Sequence, residues 1–204
     1  VGITGEGDML AALGYVYGTQ EAIDFSVNVH QNLALTAYRE SVQMAKDRGA
    51  FPIYDAQREE NNPFIQRLKE ADPALYADMV AHGRRNIALL TIAPTGTTSL
   101  MTQTTSGIEP AFLVSYKRRR KVNANDRNVK VDFVDEVGDS WEEYNVFHHK
   151  FITWLEANGH DPKAVAKFDQ EALRELIRQT PYYQATSNDV DWVAKVRMQG
   201  AIQK

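Results

Sequence analysis

The stretch from Asn86 to Ser99 constrains this chain more than any other. Ile87 to Ile92 is a short apolar run and reads as a fully buried strand. It empties into Pro94-Thr95-Gly96-Thr97-Thr98-Ser99, a loop of small, hydroxyl-rich residues around one glycine, and Ser106-Gly-Ile-Glu-Pro110 closes the segment. A strand feeding such a loop, with its N–H groups and hydroxyls turned one way, is a natural place to hold a phosphate. No Gly-Lys-Ser/Thr follows, so this is not a Walker A loop. The alternative is a plain strand-to-helix turn capped by threonine.

The rest of the chain reads as one helix-rich α/β unit spanning residues 1–204. Thr19 caps a long helix whose first turn carries Glu21, and Lys46, Arg48 and Gly49 end it. Apolar residues fall on several of its faces (Ala22, Phe25, Val29 and Leu33, but also Val27, Leu35 and Val42), which predicts burial on several sides. Asn62-Pro63 and Asp72-Pro73 each pair a capping residue with proline at the first helical position, and Gly83 stops the second of these helices. Ala111 to Val114 is a second apolar run, read as another strand. Residues 115–137 are basic, then polar, then alternating at Val129, Val131 and Phe133, which suggests a short half-exposed strand. Ser140 with Glu143 forms a capping box, predicting a helix through Phe147, Phe151 and Leu155 that Gly159 and Pro162 end. Two more helices fit 170–179 and 189–203.

Composition narrows the function classes. A net charge of −4 argues against a general nucleic-acid binder. No apolar run approaches the ~20 residues that span a bilayer, and no charged-then-apolar leader is present, so no membrane partner is expected and the cytoplasm is the default. The chain has no cysteine, which removes disulfides, thiolate metal sites and thiol redox chemistry.

Other features read as structural. Lys117-Arg118-Arg119-Arg120-Lys121 is a solvated strand end or loop, or a contact for polyphosphate or cofactor. His148 and His149 point about 100° apart on a helix, so they do not converge on one ion, and no metal site is assigned. Gly2, Gly5 and Gly7 make an imperfect Gly-x-x-Gly-x-Gly with no strand before it in this chain, a weak dinucleotide fingerprint. Glu109 would repel a phosphate, so it is expected to anchor backbone amides or an arginine.

The string Pro94-Thr-Gly-Thr-Thr-Ser-Leu followed by Ser106-Gly-Ile-Glu-Pro110 resembles the substrate-phosphate loop of ribonucleotide reductase large subunits, most of all the class II, adenosylcobalamin-dependent form. Val1-Gly-Ile-Thr-Gly-Glu-Gly-Asp-Met-Leu10 is similar to that family's glycine-rich helix start, which implies a turn packed against the barrel in preference to a dinucleotide site. Tyr116-Lys-Arg-Arg-Arg-Lys-Val-Asn123, Trp141-Glu-Glu-Tyr-Asn-Val-Phe-His-His-Lys150 and Ala185-Thr-Ser-Asn-Asp-Val-Asp-Trp192 extend the likeness over nearly the whole chain.

The resemblance implies a ten-stranded α/β barrel built from two antiparallel five-stranded halves, of which this chain is an incomplete, C-terminal part. It implies reduction of ribonucleotides, read as diphosphates, to deoxyribonucleotides by a thiyl radical generated from adenosylcobalamin. Pro94, Thr95, Gly96, Thr97, Thr98 and Ser99 would bind the substrate phosphates. No catalytic residue is assigned here, because the family's cysteines, one of them in an Asn-x-Cys-x-Glu finger loop, are missing. The remainder of the barrel carrying them is therefore an expected partner. An opening Val1 and an apolar helical pattern running to Lys204 agree with a piece of a larger enzyme. The resemblance leaves open a class I large subunit, although Tyr182-Tyr183 beside Pro181 does not suit that class's radical-transfer tyrosines. A non-catalytic nucleotide-binding module of a split enzyme is the other alternative.

Overall fold

The computed structural model describes residues 1–123, 125–126 and 129–204. In chain order the elements are α1 (Glu6–Ala12), α2 (Gln20–Arg48), α3 (Ala56–Glu59), α4 (Pro63–Ala71), α5 (Pro73–His82) and α6 (Gly96–Thr102). Then come β1 (Ser115–Lys121), β2 (Phe133–Val134), β3 (Ser140–Phe147), α7 (His149–Ala157), α8 (Pro162–Val165), α9 (Gln170–Ile177) and α10 (Trp192–Gln203). They form two compact units: Val1–Ile3 with Gly18–Pro94 and Asp191–Lys204, and Thr4–Tyr17 with Thr95–Val190. Among the described residues no helix is long and apolar enough to cross a membrane.

In the first unit the helix starts follow local chemistry. Thr19 Oγ1 accepts the Ala22 N–H, Asn62 Oδ1 that of Phe64, and Asp72 Oδ1 that of Leu75. Each side chain satisfies a donor that the first helical turn leaves without a partner. Tyr38 and Val42 of α2, Ile65 and Leu68 of α4, and Leu75 and Met79 of α5 form the core. Beside it the buried Arg84 guanidinium pairs with Glu59, with Nη2 to Oε1 at 2.7 Å. It also donates to the Asn86 and Ile87 carbonyls and lies 5.3–5.7 Å from the ring centres of Tyr38, Phe51 and Tyr54. Burial opposes its charge, but Glu59 outweighs burial and holds the guanidinium pKa above its usual value.

Two expectations fail in this unit. Ile87 to Ile92 is irregular and is not a buried strand: Ile87 is 60% exposed. Val1 runs beside it, accepting the Thr91 N–H at 2.9 Å and donating to the Leu89 carbonyl. One residue is too short a neighbour to build a ladder. The middle of α2 is likewise uncovered. Val27, Leu33 and Leu35 line an open apolar groove of about 510 Å³ with Phe64, Leu90 and Ile202. The several apolar faces of α2 are real, yet this chain supplies cover for only some of them.

The second unit holds a three-stranded antiparallel sheet in the order β1-β3-β2. Ser115 sits opposite Phe147, Lys121 opposite Trp141, and Phe133 also opposite Trp141. Residues 140–147 are therefore strand, where the capping box predicts helix, and the helix begins only at His149. Glu142 and Glu143 face Arg120 and Arg119 across the ladder. Glu143 accepts from Lys117 and Arg119 instead of capping Ser140, and these donors hold its carboxyl pKa below the usual range. Trp141 stacks on Phe133 and donates Nε1–H to Asp135. Charge and aromatic pairs across strands outweigh a local cap signal here.

The basic run is β1. Lys117, Arg119, Arg120 and Lys121 all pair with acidic side chains at 2.6–3.1 Å, which leaves little free charge for a polyphosphate. The alternating segment contributes only Phe133–Val134 as strand, and positions 124, 127 and 128 of the polar stretch before it lie outside the described residues. Ala111 to Val114 is irregular, with Ala111 and Val114 buried and Phe112 exposed. The core joins Ala11, Ala111, Val114, Phe147, Phe151, Leu155, Val165, Leu173, Leu176 and Tyr182. The result is a mixed, helix-rich α/β chain in which the described residues form one open sheet.

Candidate functional site

The candidate loop lies at the start of α6. Pro94 ends a segment of the first unit, and Thr95 to Ser99 belong to the second. Thr95 occupies the N-cap position but makes no side-chain cap. Its Oγ1 instead accepts the Gly107 N–H at 2.8 Å and shares a hydrogen bond with Thr4 Oγ1 at 2.8 Å. Ser99 is buried; its N–H donates to the Thr95 carbonyl, and its Oγ meets the Gly96 carbonyl and Ser106 Oγ.

These contacts divide the loop's labour. The Thr95 and Ser99 hydroxyls are spent on clamping the first turn of α6 to Ser106 and Gly107. Gly96, Thr97 and Thr98 are exposed. As the first helical residues, their N–H groups have no carbonyl four residues back within the helix. A Cβ placed on Gly96 would meet no atom within 4 Å. The first turn is thus held from behind and open in front, an arrangement suited to an anionic ligand.

The closing motif is held by α1. Gly5 caps that helix at φ +83°, a conformation glycine adopts without strain. Gly7 lies so close to the loop that an added Cβ would stand 2.4 Å from the Glu109 carbonyl oxygen. The glycine-rich start is thus closely packed against the segment that follows α6. Glu6 donates its N–H to Gly107, and Tyr17 donates its O–H to the Ile108 carbonyl. Burial, with the charges of Glu6 and Glu109 adding to it, pushes the Tyr17 phenol pKa up, so it stays a donor.

Asp8 is the centre of a buried polar cluster. Its carboxylate accepts the Thr105 N–H at 2.8 Å and the Tyr182 O–H at 2.9 Å, and His148 Nε2 lies 2.7 Å from Oδ1. Burial first, then the Asp8 charge, raises the Tyr182 phenol pKa, which keeps its proton in place for this bond. His148 is therefore not an ordinary packing residue of a helix: it precedes α7 and turns inward, while His149 is exposed. Asp8, His148 and Tyr182 have no local pattern that joins them, since the contacts span 140 and 174 residues.

A cavity of about 360 Å³ adjoins this cluster, lined by Thr104, Thr105, Ser106, Glu109, Phe112 and His148 among others. Glu109 does not take its expected role. It is exposed and lines the cavity, and among the described residues its side chain meets neither a backbone amide nor an arginine. Among the described residues, no group of three or more histidine, cysteine, aspartate or glutamate side chains could hold a metal ion.

Comparison with known proteins places this geometry in context. The family described as "Ribonucleotide reductase, barrel domain" matches residues 1–204. The chain is 32% identical over 118 residues to the vitamin B12-dependent ribonucleoside-diphosphate reductase of Mycobacterium tuberculosis, which covers 58% of the chain and 14% of that protein. It is 28% identical over 118 residues to the protein of the same name from Thermoplasma acidophilum, covering 58% of the chain and 13% of that protein. It is 24% identical over 124 residues to the alpha subunit of ribonucleoside-diphosphate reductase of Treponema pallidum, covering 59% and 15% respectively. The matched segment is a small fraction of each relative's length.

Proposed function

The chain belongs to the ribonucleotide reductase barrel-domain family, and we propose that it supplies the substrate-phosphate loop of a vitamin B12-dependent ribonucleotide reductase. The observation that carries this reading is the match over the full 204 residues. Similarity to the Mycobacterium reductase named for B12 dependence at 32%, against 24–28% for relatives named as alpha subunits, supports the cobalamin-dependent form over a class I large subunit.

In this reading the chain forms the C-terminal part of a ten-stranded α/β barrel. The remaining barrel would contribute neighbours for Ile87–Ile92 and the cysteines that this chain lacks. The substrate is a ribonucleoside diphosphate, reduced at its 2′-hydroxyl in the cytoplasm. Pro94 sets the entry of the chain, and Gly96, Thr97 and Thr98 present N–H groups, with two threonine hydroxyls, to the phosphates. Thr95 and Ser99 hold that turn in place. The loop's contribution is positioning: a fixed phosphate end brings the ribose to the reacting thiyl with little motion left to lose.

Adenosylcobalamin is the proposed radical source of the complete enzyme, but neither of the two cavities described above among the described residues fits it. At about 360 and 510 Å³ they are smaller than a corrin with its side chains, and the larger is apolar. No step is assigned to the cofactor through these residues. The test is deoxynucleotide formation by the full-length parent enzyme. Turnover that requires both adenosylcobalamin and a ribonucleoside diphosphate is expected. Turnover that instead requires a second protein subunit and ignores cobalamin would establish the class I alternative.

A further inference from the structure

A buried carboxylate without a lysine or arginine beside it is costly, and among the described residues Asp8 is such a group. Its side chain is 6% exposed, and its partners are one backbone amide, one phenol and one imidazole. An apolar residue would be cheaper to bury there unless the fixed anion has a task. Thr105 shows where that task leads. It donates its N–H to Asp8 Oδ2, its Oγ1 accepts the Asp8 N–H at 3.3 Å, and its carbonyl accepts from Thr4 Oγ1. The two residues that follow Thr105 are the ones that hold α6: Ser106 through Ser99 Oγ, and Gly107 through Thr95 Oγ1.

We infer that Asp8 is a positioning residue for the phosphate-binding turn, acting through Thr105, and that His148 and Tyr182 hold its carboxylate in the orientation this needs. The inference rests on the reading of Gly96–Thr98 as the phosphate contact. Tyr182 and His148 approach Oδ1 and leave Oδ2 to Thr105. Asparagine at this position keeps the shape and one carbonyl acceptor but loses the charge and the second acceptor. The bond from Thr105 N–H then loses its charge assistance, the Thr105–Gly107 segment is held less tightly, and the N–H groups of the α6 first turn lose their fixed aim. Groups that must be held within a fraction of an ångström depend on such supporting contacts.

The test uses the full-length reductase and inorganic pyrophosphate as a competitor of substrate, because pyrophosphate reports on the phosphate contact alone. Asp8→Asn is expected to raise the pyrophosphate inhibition constant about tenfold, the scale of one charge-assisted hydrogen bond. The rate at saturating substrate should change less than about twofold, since the reacting groups are not touched. A purely structural role would lower the yield of active enzyme and leave that constant unmoved. Gly96→Val separates the two layers of the argument. If Gly96→Val weakens pyrophosphate and Asp8→Asn does not, the positioning role is overturned and the phosphate contact stands. If Gly96→Val leaves pyrophosphate unaffected, the phosphate contact fails and the inference falls with it. Should Asp8→Asn not fold, Tyr182→Phe deletes a single oxygen. It is expected to shift the constant about two- to threefold in the same direction, and no shift would overturn the proposal.

Discussion

Purified alone and given adenosylcobalamin, a dithiol and a ribonucleoside diphosphate, this chain is expected to form no deoxynucleotide. Reduction of the 2′-hydroxyl by the proposed route needs one thiol to carry the radical and two more to supply electrons. The sequence contains no cysteine, and tyrosine or serine does not replace a thiol in either task. In the proposed reading the loop residues bind and position the substrate, and none of them abstracts hydrogen from the sugar. The loss is therefore complete rather than partial. Chromatographic detection of cobalamin-dependent product from the chain alone would contradict the assignment of its role.

The second large effect concerns stability. Arg84→Met is expected to cost about 3–5 kcal/mol, the usual penalty for removing one member of a buried ion pair. Arg84 is 4% exposed and holds Glu59, two backbone carbonyls and the faces of three aromatic rings. Methionine fills much of the space but leaves the Glu59 carboxylate and the Asn86 and Ile87 carbonyls without their donor. For a chain of this size the melting temperature should fall by roughly 10 °C. Arg39→Ala breaks an exposed pair with Asp72 and serves as the control, with a melt close to the parent's. Equal melting of Arg84→Met and Arg39→Ala would show that the buried pair adds no stability.

The features legible in the sequence were those whose causes are local. Asn62-Pro63, Asp72-Pro73 and Thr19 start helices because the donor and its cap lie within three residues of each other. Residues 140–147 misled because Ser140 and Glu143 satisfy a cap pattern. What makes them strand is β1, more than twenty residues upstream, whose arginines face Glu142 and Glu143. The apolar run at Ile87–Ile92 has the composition of a buried strand, but composition does not say which chain provides the neighbours. The loop from Pro94 to Ser99 was visible as a unit. Its division into clamping hydroxyls at Thr95 and Ser99 and open N–H groups between them depends on Ser106, Gly107 and Thr4. The Asp8 cluster had no signal at all: an aspartate, a histidine and a tyrosine far apart in sequence converge only in the fold.

The central claim is that the first turn of α6 holds the substrate phosphates, and Gly96→Val tests it most directly. Because an added Cβ at Gly96 meets nothing within 4 Å, and valine is no worse a helix former than glycine, the fold should be spared. The new methyl groups would instead occupy the space in front of the open N–H groups. Calorimetric titration of the full-length enzyme with a ribonucleoside diphosphate should show at least about a tenfold loss of affinity, with cobalamin affinity and the thermal melt unchanged. Equal nucleotide affinity in Gly96→Val and the parent enzyme would show that this loop does not hold the phosphates.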